Sequence, residues 1–179
     1  MRQMYITDRH GCADLITCMI RAADLGVEFI QIREKHLSGR ELLYLTDSAV
    51  RALTRWPVKI LVNSRVDVPL AVGAHGVHLP SDAPTPRVWR QIVPSGFIIG
   101  QSCHTAAEVK AAQGADFVVY GPIFDTPGKG PAQGLKSLAK IAARSNVPVF
   151  ALGGVTRQNA QSCLDVGAAG IAAIRMFQE

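Results

Sequence analysis

Short apolar segments recur along the chain, separated by stretches in which apolar residues repeat at helical spacing. The eight apolar segments cover residues 4–6, 27–32, 58–62, 76–79, 97–100, 116–120, 147–152 and 170–174. Between them, apolar residues recur about every 3.6 positions, as in residues 42–53 and 138–142. Strands that are apolar on both faces are typical of a parallel sheet covered by helices. The pattern therefore predicts alternating strands and helices.

The spacing of these units indicates how the sheet is arranged. Eight strands in 179 residues give roughly 22 residues per unit, close to the minimum for a strand, a helix and two short loops. A glycine that can end a helix precedes four alternate strands, at Gly26, Gly73, Gly114 and Gly167. Eight near-equal units favour a compact (β/α)8 TIM barrel over an open doubly wound sheet. Residues 176–179 follow the eighth strand too closely for a full final helix, so we expect a truncated one and a single barrel domain over residues 1–179.

Composition excludes several classes of protein. Hydrophobic residues make up 48% of the chain and charged residues 18%, which excludes a disordered chain. No apolar run approaches the roughly 18–20 residues that span a bilayer, and the N-terminus lacks the apolar core of a secretory signal. We therefore expect a soluble, cytoplasmic protein with no membrane partner. Because Cys12, Cys18, Cys103 and Cys163 form no Cys-x-x-Cys pair, we expect reduced thiols rather than disulfides or a zinc site.

The net charge of +5 narrows the choice of ligand. A basic chain can bind nucleic acid, but this one has no run of Lys or Arg, and only 6% of its residues are aromatic. Anionic small molecules such as phosphates fit the charge better. In a TIM barrel such ligands bind at the carboxyl ends of the strands. The residues that follow each predicted strand are therefore the candidates for function.

The end of the second strand carries two cations and an amide. Alternation directs Gln31, Arg33 and Lys35 to one side. Arg offers a planar fork of donors and Lys a point charge, which suits a doubly charged anion. A solvated charged loop is the alternative.

Polar residues also end the third, fourth and fifth strands. Asn63 is a candidate ligand-binding residue or a helix cap, and His78 is a catalytic candidate or a histidine of the barrel interior. Ser102 and His104 share one side of the fifth strand. His104 has the side chain for acid or base catalysis near pH 7, or it is a structural residue leading into a helix cap.

The last three strands end in features that suit phosphate groups. The long loop after the sixth strand carries Thr126 and Lys129, which indicates an anion-binding flap or lid, with a flexible loop as the alternative. Gly153 and Gly154 follow the seventh strand, where glycine lets backbone N–H groups approach a phosphate. Arg175 follows the eighth strand and adds a cation.

These strand ends, taken in order, resemble the thiamine-phosphate synthase/TenI family over nearly the whole chain. The matching segments are residues 5–8, 31–35, 63, 76–79, 102–105, 121–129 and 153–155. The resemblance implies a (β/α)8 barrel, usually dimeric, that acts in thiamine biosynthesis on a small phosphorylated substrate. Synthases of this family join a pyrimidine pyrophosphate to a thiazole phosphate, with Mg²⁺ assisting the departure of pyrophosphate. TenI members instead move a proton to tautomerise a thiazole carboxylate phosphate and need no metal.

The resemblance also implies roles for individual residues. The positions implied to hold pyrophosphate are Gln31, Arg33, Lys35, Asn63 and Lys129, those matching other binding positions are Ser102 and Thr126, and Gly154 matches the thiazole-phosphate site. Synthases carry magnesium-binding aspartates where this chain has Ser64 and Ala83, with Asp82 one residue out of register.

These departures favour a TenI-like tautomerase with no required cofactor. The open alternatives are a synthase that uses Asp82 or a substrate-borne Mg²⁺, and a barrel that binds a thiamine precursor without turning it over. Pro122 stands where TenI carries its proton-transferring histidine, which leaves His104 and His78 as the catalytic candidates.

Overall fold

A computed structural model describes residues 1–12 and 14–178, and eight parallel strands in it close into a barrel in chain order, with β8 pairing with β1. The strands are β1 Arg2–Ile6, β2 Phe29–Ile32, β3 Lys59–Asn63, β4 Gly76–Leu79, β5 Ile98–Cys103, β6 Phe117–Tyr120, β7 Val149–Leu152 and β8 Gly170–Ala173. The described helices are α1 Leu15–Asp24, α2 Gly39–Ala52, α3 Asp67–Val72, α4 Pro86–Trp89, α5 Ala106–Ala111, α6 Gly134–Arg144 and α7 Ala160–Asp165. Short 3₁₀ turns cover Arg9–Gly11 and Arg175–Phe177. The predicted TIM barrel is confirmed, and the open sheet is excluded.

Several strands begin later than the apolar pattern indicates, because the first apolar residue still belongs to the preceding turn. Val27 is buried, but its N–H bonds to the carbonyl of Ala22 near the end of α1 (3.3 Å).

The four glycines predicted to end helices have a left-handed backbone. Gly26 has a φ of 78°, and the other three also have positive φ. At Gly73, a φ of 70° closes α3 with an N–H bond to the carbonyl of Pro69. The predicted role of these glycines is confirmed.

Inward-facing apolar side chains fill most of the barrel interior. This cluster comprises Met4, Ile6, Phe29, Leu61, Phe117, Val119, Phe150 and Ala172. The Phe117 ring lies at the centre, 5.1 Å from the ring of Phe29 and 5.2 Å from that of Phe150. Tilted aromatic pairs at these distances add stability beyond the area they bury. The barrel interior is therefore a packed core below a polar upper end.

The guanidinium of Arg2 covers the amino end of this core. It lies over the rings of Phe29 and Phe150, 5.7 and 5.2 Å from their centroids. The Glu28 carboxylate accepts two hydrogen bonds from it, at 2.7 and 2.8 Å, which fixes the plane of the guanidinium. The aromatic core is thus closed from below by a paired cation.

The expectation of four reduced thiols is wrong for Cys12 and Cys18, which are joined in a disulfide with their Cα atoms 6.6 Å apart. Cys12 lies just before α1 and Cys18 in its first turn, so the start of the helix brings the two side chains together. The other two cysteines, Cys103 and Cys163, are free and buried. Burial raises the pKa of Cys103 to about 12, so its thiol stays protonated and forms no dyad with the neighbouring histidine.

Packing around Phe117 predicts a strict size limit at Gly100. A Cβ atom at Gly100 would lie 2.4 Å from the Phe117 ring and 2.7 Å from Nδ1 of His78. We expect Gly100→Ala to lower the free energy of unfolding by about 1–3 kcal/mol, measured by urea denaturation. Gly130→Ala is the control, because no heavy atom lies within 4 Å of the added methyl group. Equal stability of the two variants would contradict this account.

Candidate active site

The carboxyl ends of the strands and the loops that follow them form the mouth of the barrel. The last inward-facing residues of β2, β3, β4 and β5 are polar, and these are Gln31, Asn63, His78 and Ser102. Asn63 pairs in register with His78, and His78 pairs with Gly100 on the next strand. The structure therefore brings these four predicted site residues together along one arc of the mouth.

His78 is buried and holds Ser102 in place. Its Nε2 lies 2.9 Å from Oγ of Ser102, and its ring stacks on Phe117 with centroids 6.0 Å apart. Burial, with a smaller contribution from the charge of Arg33, lowers the pKa of His78 to about 3. The imidazole is therefore neutral near pH 7, with only 2% of the residue exposed. Of the two roles expected for His78, this geometry favours the interior one.

His104 lies exposed at the end of β5, and one ring nitrogen is committed to a backbone contact. Its Nδ1 is 2.7 Å from the carbonyl oxygen of Gly121. A carbonyl can only accept, so Nδ1 carries a proton, and in the neutral ring the lone pair is on Nε2. The predicted helix cap is also present, since Thr105 Oγ1 accepts from the Glu108 N–H (3.2 Å). His104 thus has a structural role and a free basic nitrogen at once.

The end of β2 places its charged residues at different depths. Gln31 is buried, with its amide nitrogen against Sδ of Met4 (3.7 Å). Arg33 is half-buried, and its charge contributes to the low pKa of His78. Lys35 is exposed further along the chain. The three residues therefore extend from the barrel interior to solvent.

Two buried residues at this end of the barrel were not singled out from the sequence. Thr7 follows β1 and Glu34 follows β2, and the Thr7 hydroxyl donates to the Glu34 carboxylate (2.6 Å). Both lie in segments that carry the family resemblance, which was the available signal. Their burial is not readable from the sequence, because a polar residue just after a strand is normally exposed.

The β6–α6 loop, residues 121–133, has a fixed base and an exposed tip. The N–H groups of Ile123 and Phe124 bond to the carbonyls of Leu152 and Gly153, at 2.8 and 3.0 Å. Beyond this base, the tip borders an open pocket of about 520 Å³ whose lining includes Thr126 and Lys129. Lys129 is exposed, so the tip presents a cation to solvent beside the mouth.

Gly153 and Gly154 are required by the way this loop crosses β7. Both have positive φ, 96° and 63°. A Cβ atom would lie 2.5 Å from Cα of Pro122 at the first position and 2.8 Å from the carbonyl oxygen of Asp125 at the second. Close packing against the loop therefore requires glycine at both positions, in addition to the predicted approach of a phosphate.

Groups suited to a phosphate lie next to these glycines. In the described part of the chain, the N–H groups of Gly154 and Val155 donate no hydrogen bond. Arg175 is exposed at the start of the turn that follows β8, the neighbouring strand. The last two βα loops of a TIM barrel are a common phosphate site, and these residues have the donors for one.

The residues at the expected magnesium positions do not fit a two-carboxylate site. Ser64 has a φ of 65°, and its Oγ accepts a hydrogen bond from the Asn63 amide (2.8 Å). Ala83 packs against an apolar cluster beside β4, and Asp82 is exposed. Among residues 1–12 and 14–178, no group of three or more His, Cys, Asp or Glu side chains is arranged to hold a metal.

Comparison with known proteins identifies the family. A family model described as thiamine monophosphate synthase matches residues 3–177. The chain belongs to this family. It is therefore an enzyme of thiamine biosynthesis, and its barrel is the family's fold. None of the helices in the described residues is long and apolar enough to cross a membrane.

Individual members of the family are similar along most of the chain. A putative thiamine-phosphate synthase of Geobacter sulfurreducens is 43% identical over 176 residues, which are 94% of this chain and 83% of that protein. A putative thiamine-phosphate synthase 2 of Aquifex aeolicus is 42% identical over 180 residues, covering 97% and 96%. The structure of a thiamine phosphate pyrophosphorylase from Pyrococcus furiosus is 32% identical with a TM-score of 0.88, covering 97% of this chain and 85% of that one. The two sequence relatives are named putative thiamine-phosphate synthases, which favours the synthase expectation over the tautomerase one.

The low pKa of His78 predicts a pH dependence of stability. Since the pKa is about 3 in the folded state and near 6.5 otherwise, the unfolded chain binds more protons between these values. The contribution is complete above pH 6.5 and declines as the pH falls, by up to about 1.4 kcal/mol per pH unit. We expect His78→Gln, which does not titrate, to show a flatter decline between pH 7 and pH 5 in urea denaturation. Parallel curves for both proteins would contradict the buried, neutral imidazole.

Proposed function

We propose that this enzyme joins a pyrimidine pyrophosphate to a thiazole phosphate and releases pyrophosphate. The observation that carries the proposal is the arrangement of cations around the mouth. Arg33 and Lys35 follow β2, and Lys129 is presented by the β6–α6 loop, with the amides of Gln31 and Asn63 below. Three cations suit a pyrophosphate better than a single phosphate ester. The synthases among the similar proteins support the same reaction.

The reaction requires two anionic groups to be held at once. In the proposed arrangement, Arg33, Lys35 and Lys129 bind the pyrophosphate, while the N–H groups after β7 and the Arg175 side chain bind the thiazole phosphate. The bond between the pyrimidine methylene carbon and the pyrophosphate oxygen breaks, and the oxygen leaves with the electron pair. The thiazole nitrogen then donates its lone pair to the pyrimidine cation to form the new C–N bond. The cations stabilise the charge that develops on the leaving group.

Magnesium remains the expected cofactor of a synthase, but the residues at positions 64 and 83 do not hold it. In the proposed reaction, the three cationic side chains provide the counter-charge for the leaving pyrophosphate. Ser64 already has the left-handed backbone that Asp tolerates better than most residues. Ser64→Asp therefore returns one carboxylate to the mouth without requiring a backbone change.

Lys129 provides the first test of the synthase. Wild-type protein is expected to form thiamine phosphate from the two substrates, assayed with and without Mg²⁺. Lys129→Ala should lower kcat/KM about tenfold or more, because a charge-assisted contact to pyrophosphate is lost. Lys136→Ala is the matched control, since Lys136 is exposed on α6 outside the loop tip. Absence of product from folded protein that binds both substrates would refute the synthase.

Ser64→Asp then tests the metal position in the same assay. We expect the variant to lower the Mg²⁺ concentration that gives half-maximal activity. An unchanged requirement would show that position 64 does not face the metal in this enzyme.

A tautomerase is the second candidate, and His104 is the observation that favours it. The residue is exposed beside the mouth, and the contact of Nδ1 with the Gly121 carbonyl leaves Nε2 of the neutral ring to take a proton from a bound thiazole carboxylate phosphate. His104 would then replace the histidine that the TenI branch carries where this chain has Pro122. The third expectation, a non-catalytic binder, is left if neither reaction occurs and the thiazole ligand still binds.

Deuterium exchange separates the tautomerase from the binder. If His104 is the base, His104→Gln should slow the exchange of solvent deuterium into the bound thiazole carboxylate phosphate by about 100-fold or more, followed by NMR. His75→Gln is the control, because His75 precedes β4 at the opposite end of the barrel. Equal exchange rates in the two variants would discard His104 as the base.

Other sequence-based expectations stay predictions. These are a homodimer, a cytoplasmic location, and a single domain over residues 1–179. The small phosphorylated substrate follows from the family.

A further inference from the structure

A chain of buried hydrogen bonds joins the backbone of β2 to the loop after β1. The Arg33 N–H donates to Oγ1 of Thr7 (3.0 Å), so the Thr7 hydroxyl must direct its own proton elsewhere. That proton points to Oε1 of Glu34, 2.6 Å away. Thr7 is fully buried, and Glu34 is 5% exposed. The Arg33 N–H therefore donates to Thr7, and the Thr7 hydroxyl donates to Glu34.

The other carboxylate oxygen of Glu34 faces a side chain from each of the two loops, the Arg9 guanidinium and the His36 imidazole. Its Oε2 accepts weakly from the Arg9 N–H (3.4 Å), and the side-chain nitrogens of Arg9 and His36 each lie 3.9 Å from it. The Thr7 N–H also bonds to the Gln31 carbonyl (2.9 Å). A buried carboxylate with these partners is costly to disturb, because removing one partner leaves a poorly compensated charge.

These hydrogen bonds hold the backbone from which the neighbouring cations extend. Glu34 stands between Arg33 and Lys35, and its side chain is turned away from the barrel axis towards the loop after β1. The backbone of Arg33 is held by the same Thr7 hydroxyl, so the residue has little freedom at the point where its side chain enters the mouth.

We propose that Glu34, acting through the Thr7 hydroxyl, is a positioning residue that fixes Arg33 and Lys35 for binding the pyrophosphate group. The inference rests on the proposed function, since it assigns those cations to pyrophosphate. Glu34 itself touches no substrate. Its effect is to reduce the conformational freedom that the two cations would otherwise lose on binding the ligand.

Thr7 allows a test with closely matched variants. Thr7→Val keeps the shape of the side chain but removes the hydroxyl, whereas Thr7→Ser keeps the hydroxyl. We expect Thr7→Val to weaken the binding of inorganic pyrophosphate about tenfold, measured by calorimetry, because Arg33 N–H and Glu34 both lose a partner. Thr7→Ser should restore the affinity to within about twofold of wild type. The affinity for thiazole phosphate should be unchanged in both variants.

The outcomes separate this inference from the proposed function. Failure of the wild-type protein to bind inorganic pyrophosphate would overturn the proposed function and the inference with it. Binding by wild type with equal affinity in Thr7→Val would overturn the inference alone. An equal loss of affinity for both ligands would also overturn it, because a general structural defect affects both.

A second variant keeps the test decisive if Thr7→Val does not fold. Glu34→Gln retains an acceptor oxygen for Thr7, but it removes the negative charge and turns an amide donor towards the Arg9 N–H. We expect the same selective loss of pyrophosphate affinity, and an unchanged affinity would overturn the inference.

Discussion

In the closed barrel, successive side chains of every strand point alternately towards the barrel axis and towards the helices, and the site depends on that constraint. Along β2 the inward positions change from Phe29 to Gln31 and then, past the strand end, to Arg33. The same change from apolar to polar occurs on β3 and β4, where Leu61 is followed by Asn63 and Gly76 by His78. The aromatic core excludes water from the amino end of the barrel. The polar groups above it therefore lie in a region of low dielectric constant, which strengthens their interactions.

Burial divides the titratable groups of the mouth into two kinds. His78 is fully enclosed and neutral, so it supports Ser102 without adding charge to the ligand site. Lys35 and Lys129 remain exposed to solvent, so their position at the rim has no cost of desolvation. An incoming anion therefore meets cations at the rim and neutral donors below. Glu34, the acidic residue nearest to the rim cations in sequence, is directed away from them.

Much of the fold was predictable because it depends on local pattern. Eight apolar segments and four helix-ending glycines specify the order of elements, and parallel barrels are built from such repeats. The inward direction of His78 was also predictable from alternation. Its pairing with Ser102 required the register of β4 against β5, and its low pKa required the packing of Phe117, neither of which the sequence displays.

Other features could not be predicted from the sequence, for a different reason. The Cys12–Cys18 disulfide depends on where α1 begins, because Cys12 precedes the helix and Cys18 lies in its first turn. The choice between synthase and tautomerase leaned on Ser64 and Ala83, two positions in which oxygen ligands are lost. The same sequence retains the cations suited to pyrophosphate, so the missing carboxylates alone do not identify a tautomerase.

The Arg2 guanidinium over Phe29 and Phe150 has a consequence for traffic through the enzyme. A cation fixed to Glu28 covers the aromatic core at the amino end of the barrel. Among the described residues, the polar groups of the interior are therefore approached from the carboxyl ends of the strands. A molecule bound at the rim covers the groups that lie deeper, such as Gln31.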